Sequence, residues 1–102
     1  MGKVESIFQR TLIKTLHGRY PGCWTEKADA GYRQGTPDLR FYYGKFWAAF
    51  EVKRSAHEKH QPNQDEYIYR LDGMSFARFI YPENMEEVLS ELDAAIKEAG
   101  TL

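Results

Sequence analysis

The chain has a single cysteine, no apolar run of membrane-spanning length and a net charge of only −1 across its 102 residues. Cys23 alone cannot form an internal disulfide, which fits a reducing cytoplasm. No stretch comes near the roughly 20 apolar residues that cross a bilayer. Residues Met1 to Glu5 lack the apolar core of a secretory leader. The expectation is a soluble, cytoplasmic protein with no membrane partner. Repeats, low-complexity tracts and linkers are missing too, so residues 1–102 are expected to form a single domain around one core. What is present supports that: 42% hydrophobic and 15% aromatic residues are enough to fill such a core.

The near-zero net charge at first argues against a nucleic-acid partner, because binding phosphates draws on basic surface. The distribution alters that. Residues 83–98 hold six acidic side chains against one lysine, which leaves residues 1–82 with thirteen Lys/Arg against nine Asp/Glu. The acidic excess is confined to one end.

Val4, Ile7, Phe8, Leu12 and Leu16 recur at helical spacing, with Gly18 as a stop and Pro21 beyond it. Cys23 to Ala30 reads as a short strand and Ala30 to Thr36 as a loop. Two strand-like runs follow, Pro37 to Tyr43 and Phe46 to Lys53, separated by Gly44 and Lys45, a pair that signals a tight hairpin turn. After a polar loop, Pro62 suits a first helical position. Ile68 and Leu71 give that second helix an apolar side, and Gly73 offers a stop. Met74 to Tyr81 reads as a fourth strand. Asn84 with Glu87 resembles a capping box for a closing helix striped by Met85, Val88, Leu89, Leu92 and Ile96. The expected order is α-β-β-β-α-β-α, an α/β domain with a central mixed sheet.

A two-residue turn at Gly44 and Lys45 fixes the hairpin register. One face then pairs Tyr43 with Phe46, Phe41 with Ala48 and Leu39 with Phe50, and is wholly apolar. The other pairs Tyr42 with Trp47, Arg40 with Ala49 and Asp38 with Glu51. A one-residue slip would scramble both faces, so the pattern itself argues for this register. It sets two carboxylates across an antiparallel pair with Cβ atoms about 4.5–5.5 Å apart, where like charges destabilise a sheet. A divalent cation between them would reverse that effect, and carboxylate and water ligands suit Mg²⁺ or Mn²⁺. Lys53 projects from the same face, where an ammonium can orient a water or offset charge on a phosphate. Two acids and a lysine at one end of a hairpin suit phosphodiester hydrolysis. A plain surface salt bridge of Lys53 is the competing reading.

Pro37 and Asp38, followed by Glu51, Val52 and Lys53, resemble the signature of the PD-(D/E)XK nuclease superfamily. The run Gly35-Thr36-Pro37-Asp38-Leu39 and the later Gln64 are similar to its VRR-NUC and Holliday-junction-resolvase-like branches. The likeness covers about Glu5 to Tyr81 and implies a restriction-endonuclease-like fold. It implies that Asp38, Glu51, the backbone carbonyl of Val52 and Glu5 hold Mg²⁺, with Mn²⁺ able to substitute. It makes Lys53 the residue that positions the attacking water. Glu5 can equally be a dipole-favoured glutamate in a first turn. Gln64 matches a glutamine on the helix after the lysine strand. It also precedes Ile68 and Leu71 by four and seven residues, so it sits on the apolar side and needs a polar partner. Gln9, one turn after Glu5, is a weaker supporting candidate.

Arg54, His57, Lys59 and His60 follow the lysine strand directly. With Arg33 and Arg40 they are candidates to grip DNA phosphates, or else ordinary solvated charges. His57 and His60 have no convincing pair of further zinc ligands. Tyr42 and Trp47 could stack on bases, meet a second copy, or lie under a helix. The resemblance implies a metal-dependent endonuclease acting on branched or junction DNA as a homodimer, of a compact kind also encoded by phages. The alternatives are a nuclease cutting plain duplex or flaps, and a non-catalytic module that binds nucleic acid or protein.

Overall fold

The structure, a computed structural model, describes residues 3–28 and 34–101. The leading helix α1 (Lys3–Arg19) runs one residue past Gly18, and three strands follow: β1 (Trp24–Lys27), β2 (Leu39–Tyr43) and β3 (Phe46–Val52). The helix α2 (Gln64–Met74) then crosses to β4 (Phe76–Ile80), and a short 3₁₀ turn (Pro82–Asn84) leads into α3 (Met85–Glu98). The order is the one the sequence predicts. The strands lie side by side as β1-β2-β3-β4. The first three are antiparallel, and β4 runs parallel to β3. A parallel pair needs a long crossover, which α2 supplies.

The hairpin register is the expected one, with Leu39 opposite Phe50, Phe41 opposite Ala48 and Tyr43 opposite Phe46. Gly44 turns at φ +61, while Lys45 keeps a negative φ. A positive φ at the first central position alone is the type II′ pattern, whose twist matches the strands it joins. The apolar face of the hairpin is buried with Leu12 and Leu16 of α1 and Leu89, Leu92 and Ile96 of α3 in one core. Tyr20 closes it by packing its ring on Phe41 and donating its hydroxyl to Asp93 at 3.0 Å. Among the described residues no helix is long and apolar enough to cross a membrane.

Gly73 does not stop the second helix and Met74 does not open the fourth strand, since α2 runs through both, and three further local expectations need correction. The first strand is shorter than Cys23 to Ala30, since Cys23 turns into the core and pairing starts at Trp24; Asp29 and Ala30 lie outside the described residues. The second helix does not begin at Pro62. Its N-cap is Asn63, at φ +72, and Pro62 belongs to the turn before it. Asn84 does not form the side-chain cap expected with Glu87. Its amide instead ties the end of β4, accepting from the Tyr81 N–H at 2.9 Å and donating to the Phe79 carbonyl at 3.1 Å.

Candidate active site

Asp38 stands one residue before β2, held from both sides. Its carbonyl accepts from the Ala28 N–H at 3.0 Å, and its Oδ1 accepts from the Val52 N–H at 2.9 Å. The second bond spends a carboxylate oxygen on the backbone of β3 and keeps Asp38 beside Glu51. Glu51 is only 7% exposed and Lys53 3%. The Lys53 N–H donates to the Ile80 carbonyl at 2.8 Å, so the parallel β3–β4 pairing continues up to the lysine and fixes its backbone.

Gln64 joins the two charges. Lys53 Nζ donates to Gln64 Oε1 at 2.8 Å, and Gln64 Nε2 donates to Glu51 Oε2 at 3.0 Å. Lysine can only donate, so the amide has one workable orientation: oxygen to the lysine, nitrogen to the glutamate. The same oxygen accepts from the Gln61 N–H at 2.8 Å. Glutamine at the start of α2 therefore closes the loop before it and bridges the buried pair. Lys53 Nζ also lies 3.8 Å from Glu51 and 3.7 Å from Glu58, with the Lys59 carbonyl at 3.3 Å.

Burial pushes the Glu51 carboxyl up to about 8, with repulsion from Asp38 the next cause and Lys53 opposing. Burial likewise raises Asp38 to about 6, against the pull of its backbone hydrogen bonds. Glu5 is also raised, first by burial and then by Glu58 and Asp38. Glu58 acts on Glu5 by repulsion and by a side-chain hydrogen bond, both of which raise it. Three acids are thus held where ionisation is costly even with the Lys53 ammonium nearby.

Glu5, Gln9, Asp38, Glu51 and Gln64 all line a cavity of about 390 Å³. A second groove of about 420 Å³ lies over the polar face of the hairpin, between Tyr42 and Trp47 and the α2 residues Tyr67 and Leu71. No carboxylate is among its described lining residues, so the acidic cluster belongs to the first cavity. Gly35 supports that first wall. At φ +89 it packs so closely on the start of α2 that an added Cβ would lie 2.7 Å from the Pro62 carbonyl oxygen.

No family model, curated protein or solved structure matches the chain.

Of the residues singled out in the sequence, Asp38, Glu51, Gln64, Glu5 and Gln9 line this cavity, and Lys53 is joined to it through Gln64 and Glu51. Val52 is fully buried in the core, so only its backbone reaches the site. The basic candidates are dispersed. Arg33 lies outside the described residues. Arg40 lies 3.6 Å from Glu26, and Arg54 lies 3.9 Å from Glu58. His60 pairs with Asp65 at 2.8 Å and stacks on Phe79 with ring centroids 4.0 Å apart. His57 and Lys59 are exposed on the same loop. Glu58 is the residue the sequence reading passed over, and no periodicity marks it. Among the described residues no three His, Cys, Asp or Glu side chains are already gathered as a ligand set. The carboxylates are instead engaged with Gln64, the Val52 N–H and one another. Asp38, Glu51 and Glu5 could hold a hard divalent cation by exchanging some of those bonds, the ion displacing the proton that a raised Glu51 retains.

Proposed function

We propose that the chain is a metal-dependent endonuclease that hydrolyses DNA phosphodiester bonds. The observation carrying this reading is the hydrogen-bonded chain Glu51–Gln64–Lys53, with Asp38 beside it on an accessible cavity. Burying two carboxylates and a lysine costs folding free energy, and a structural role alone gives little reason to bear it. Oxygen donors fit Mg²⁺ or Mn²⁺. Asp38, Glu51 and the Val52 carbonyl would hold the ion, and Glu5 would join them on releasing Glu58. Once bound, the ion would acidify a coordinated water and polarise a phosphoryl oxygen.

Lys53 is the cation already in place. With Gln64 aiming it, its ammonium can donate to a water or to a non-bridging phosphate oxygen as charge builds there. Asp38 and Glu51 can take up the proton that the attacking water loses. With Glu5, Asp38 and Glu51 neutralised by metal, residues 1–82 carry a net +7 by formal charge. That balance suits a polyanionic substrate. Branched or junction DNA as the preferred form, and a homodimer cutting two strands, rest on the resemblance to the resolvase-like branch of the PD-(D/E)XK nucleases.

A cleavage panel tests the reading: linear duplex, flap, fork and four-way junction, each with Mg²⁺, Mn²⁺ or EDTA, for wild type and Asp38→Ala. Metal-dependent cutting that Asp38→Ala abolishes is the expected result. DNA binding without cutting under either metal would overturn it in favour of a non-catalytic module. Equal rates on duplex and junction would remove the junction preference. A monomeric mass by light scattering, with and without DNA, would remove the dimer.

A further inference from the structure

The first helix sends a second side chain into the cavity. Gln9 follows Glu5 by one turn, so the two share a face of α1. It is 1% exposed, and neither its Oε1 nor its Nε2 has a hydrogen-bond partner among the described residues. Buried amides are almost always paired, because an unpaired one weakens the fold. Gln64, on the opposite wall, uses both amide atoms. Gln9 uses neither, and it lines the cavity together with Glu5, Asp38 and Glu51. Its α1 neighbours Phe8 and Leu12 are apolar and belong to the core, so neither supplies a side-chain partner. An amide kept here at a cost to folding points to a polar ligand in the cavity.

We propose that Gln9 positions a water carried by a divalent cation at Asp38 and Glu51. The inference deepens the metal-dependent reading and rests on it. A carboxamide stays neutral beside three acids and presents an acceptor and a donor. Oε1 accepts one O–H of the water, turning the water's lone pair toward the ion, and outer partners of this kind tune metal affinity. Gln9 is thus a positioning residue rather than a ligand.

The test uses Gln9→Leu and Gln9→Met, two shape-preserving changes that remove the amide. Thermal unfolding is followed in EDTA, and Mn²⁺ binding is measured by calorimetric titration of the metal-free protein. In EDTA both variants should unfold about 4–8 °C higher than wild type, as an unpaired buried amide is removed. Their Mn²⁺ affinity should fall roughly 10–100-fold. Unchanged Mn²⁺ affinity in both variants, with binding abolished by Asp38→Asn, would overturn this proposal alone. A lower unfolding temperature in both would assign the amide to the fold and overturn it as well. Wild type that binds no Mn²⁺ would remove the metal reading and this inference together.

Discussion

Glu51 gives the structure its sharpest consequence for stability. Its carboxyl is pushed from 4.5 to about 8, chiefly by burial and then by Asp38. A group whose folded pKa exceeds its unfolded value contributes stability that is complete below the unfolded pKa. That contribution is lost as pH rises through the folded pKa. Metal-free protein should therefore weaken progressively between about pH 4.5 and pH 8, and Asp38, raised to about 6, acts in the same direction within that window. At about 1.4 kcal/mol per pH unit the Glu51 interval sets a ceiling of about 5 kcal/mol. Because Glu51 borders a cavity that water can enter, we expect about 2–4 kcal/mol. Against a total stability of roughly 5–15 kcal/mol this is a large share.

The assay is a series of urea or thermal unfolding curves from pH 5 to pH 9 in EDTA, for wild type and Glu51→Gln. Wild type should lose stability steadily and Glu51→Gln much less, so that the variant is the more stable of the two at pH 9. Adding Mg²⁺ at pH 9 should restore wild type and leave Glu51→Gln nearly unmoved, because ligand binding to the folded state stabilises it by mass action. Wild-type stability that stays flat or rises across the window would refute the reasoning. So would a variant with the same slope as wild type.

Gln64→Leu should cost about 3–5 kcal/mol in urea denaturation, because it takes a hydrogen-bond partner from Lys53, Glu51 and the Gln61 N–H at once. A loss under about 1 kcal/mol would mean the buried pair does not depend on this bridge. Gly35→Ala should cost about 2–4 kcal/mol, since φ +89 is unfavourable for any side chain and the new Cβ meets the Pro62 carbonyl oxygen at 2.7 Å. An unchanged denaturation midpoint would show that this loop does not press on the start of α2.

The sequence made the fold legible wherever one period dominated. The hairpin register followed from two faces, one wholly apolar and one carrying Asp38, Glu51 and Lys53, because a slip of one residue would have exchanged them. The boundaries were less legible, since they depend on tertiary hydrogen bonds. Asn84 reads as a helix cap by its neighbours in sequence, yet the Tyr81 N–H and Phe79 carbonyl at the end of β4 lie within its reach and take it instead. Pro62 reads as a helix start, but the Gln61 N–H is satisfied by the Gln64 side chain, and that bond sets the helix to begin two residues later.

The candidate site divides along the same line. Residues on strands and helices could be placed from spacing: Glu51 and Lys53 two apart on one face, and Gln64 on the apolar side of its helix. Glu58 could not, because it sits in a loop whose path depends on what it packs against. There, as a fourth acid beside the three the sequence suggests, it contacts Lys53 and Arg54 and raises the Glu5 carboxyl. Glu58 shares the buried Lys53 ammonium with Glu51, at 3.7 and 3.8 Å, so it is placed by contact with that lysine rather than by strand or helix period.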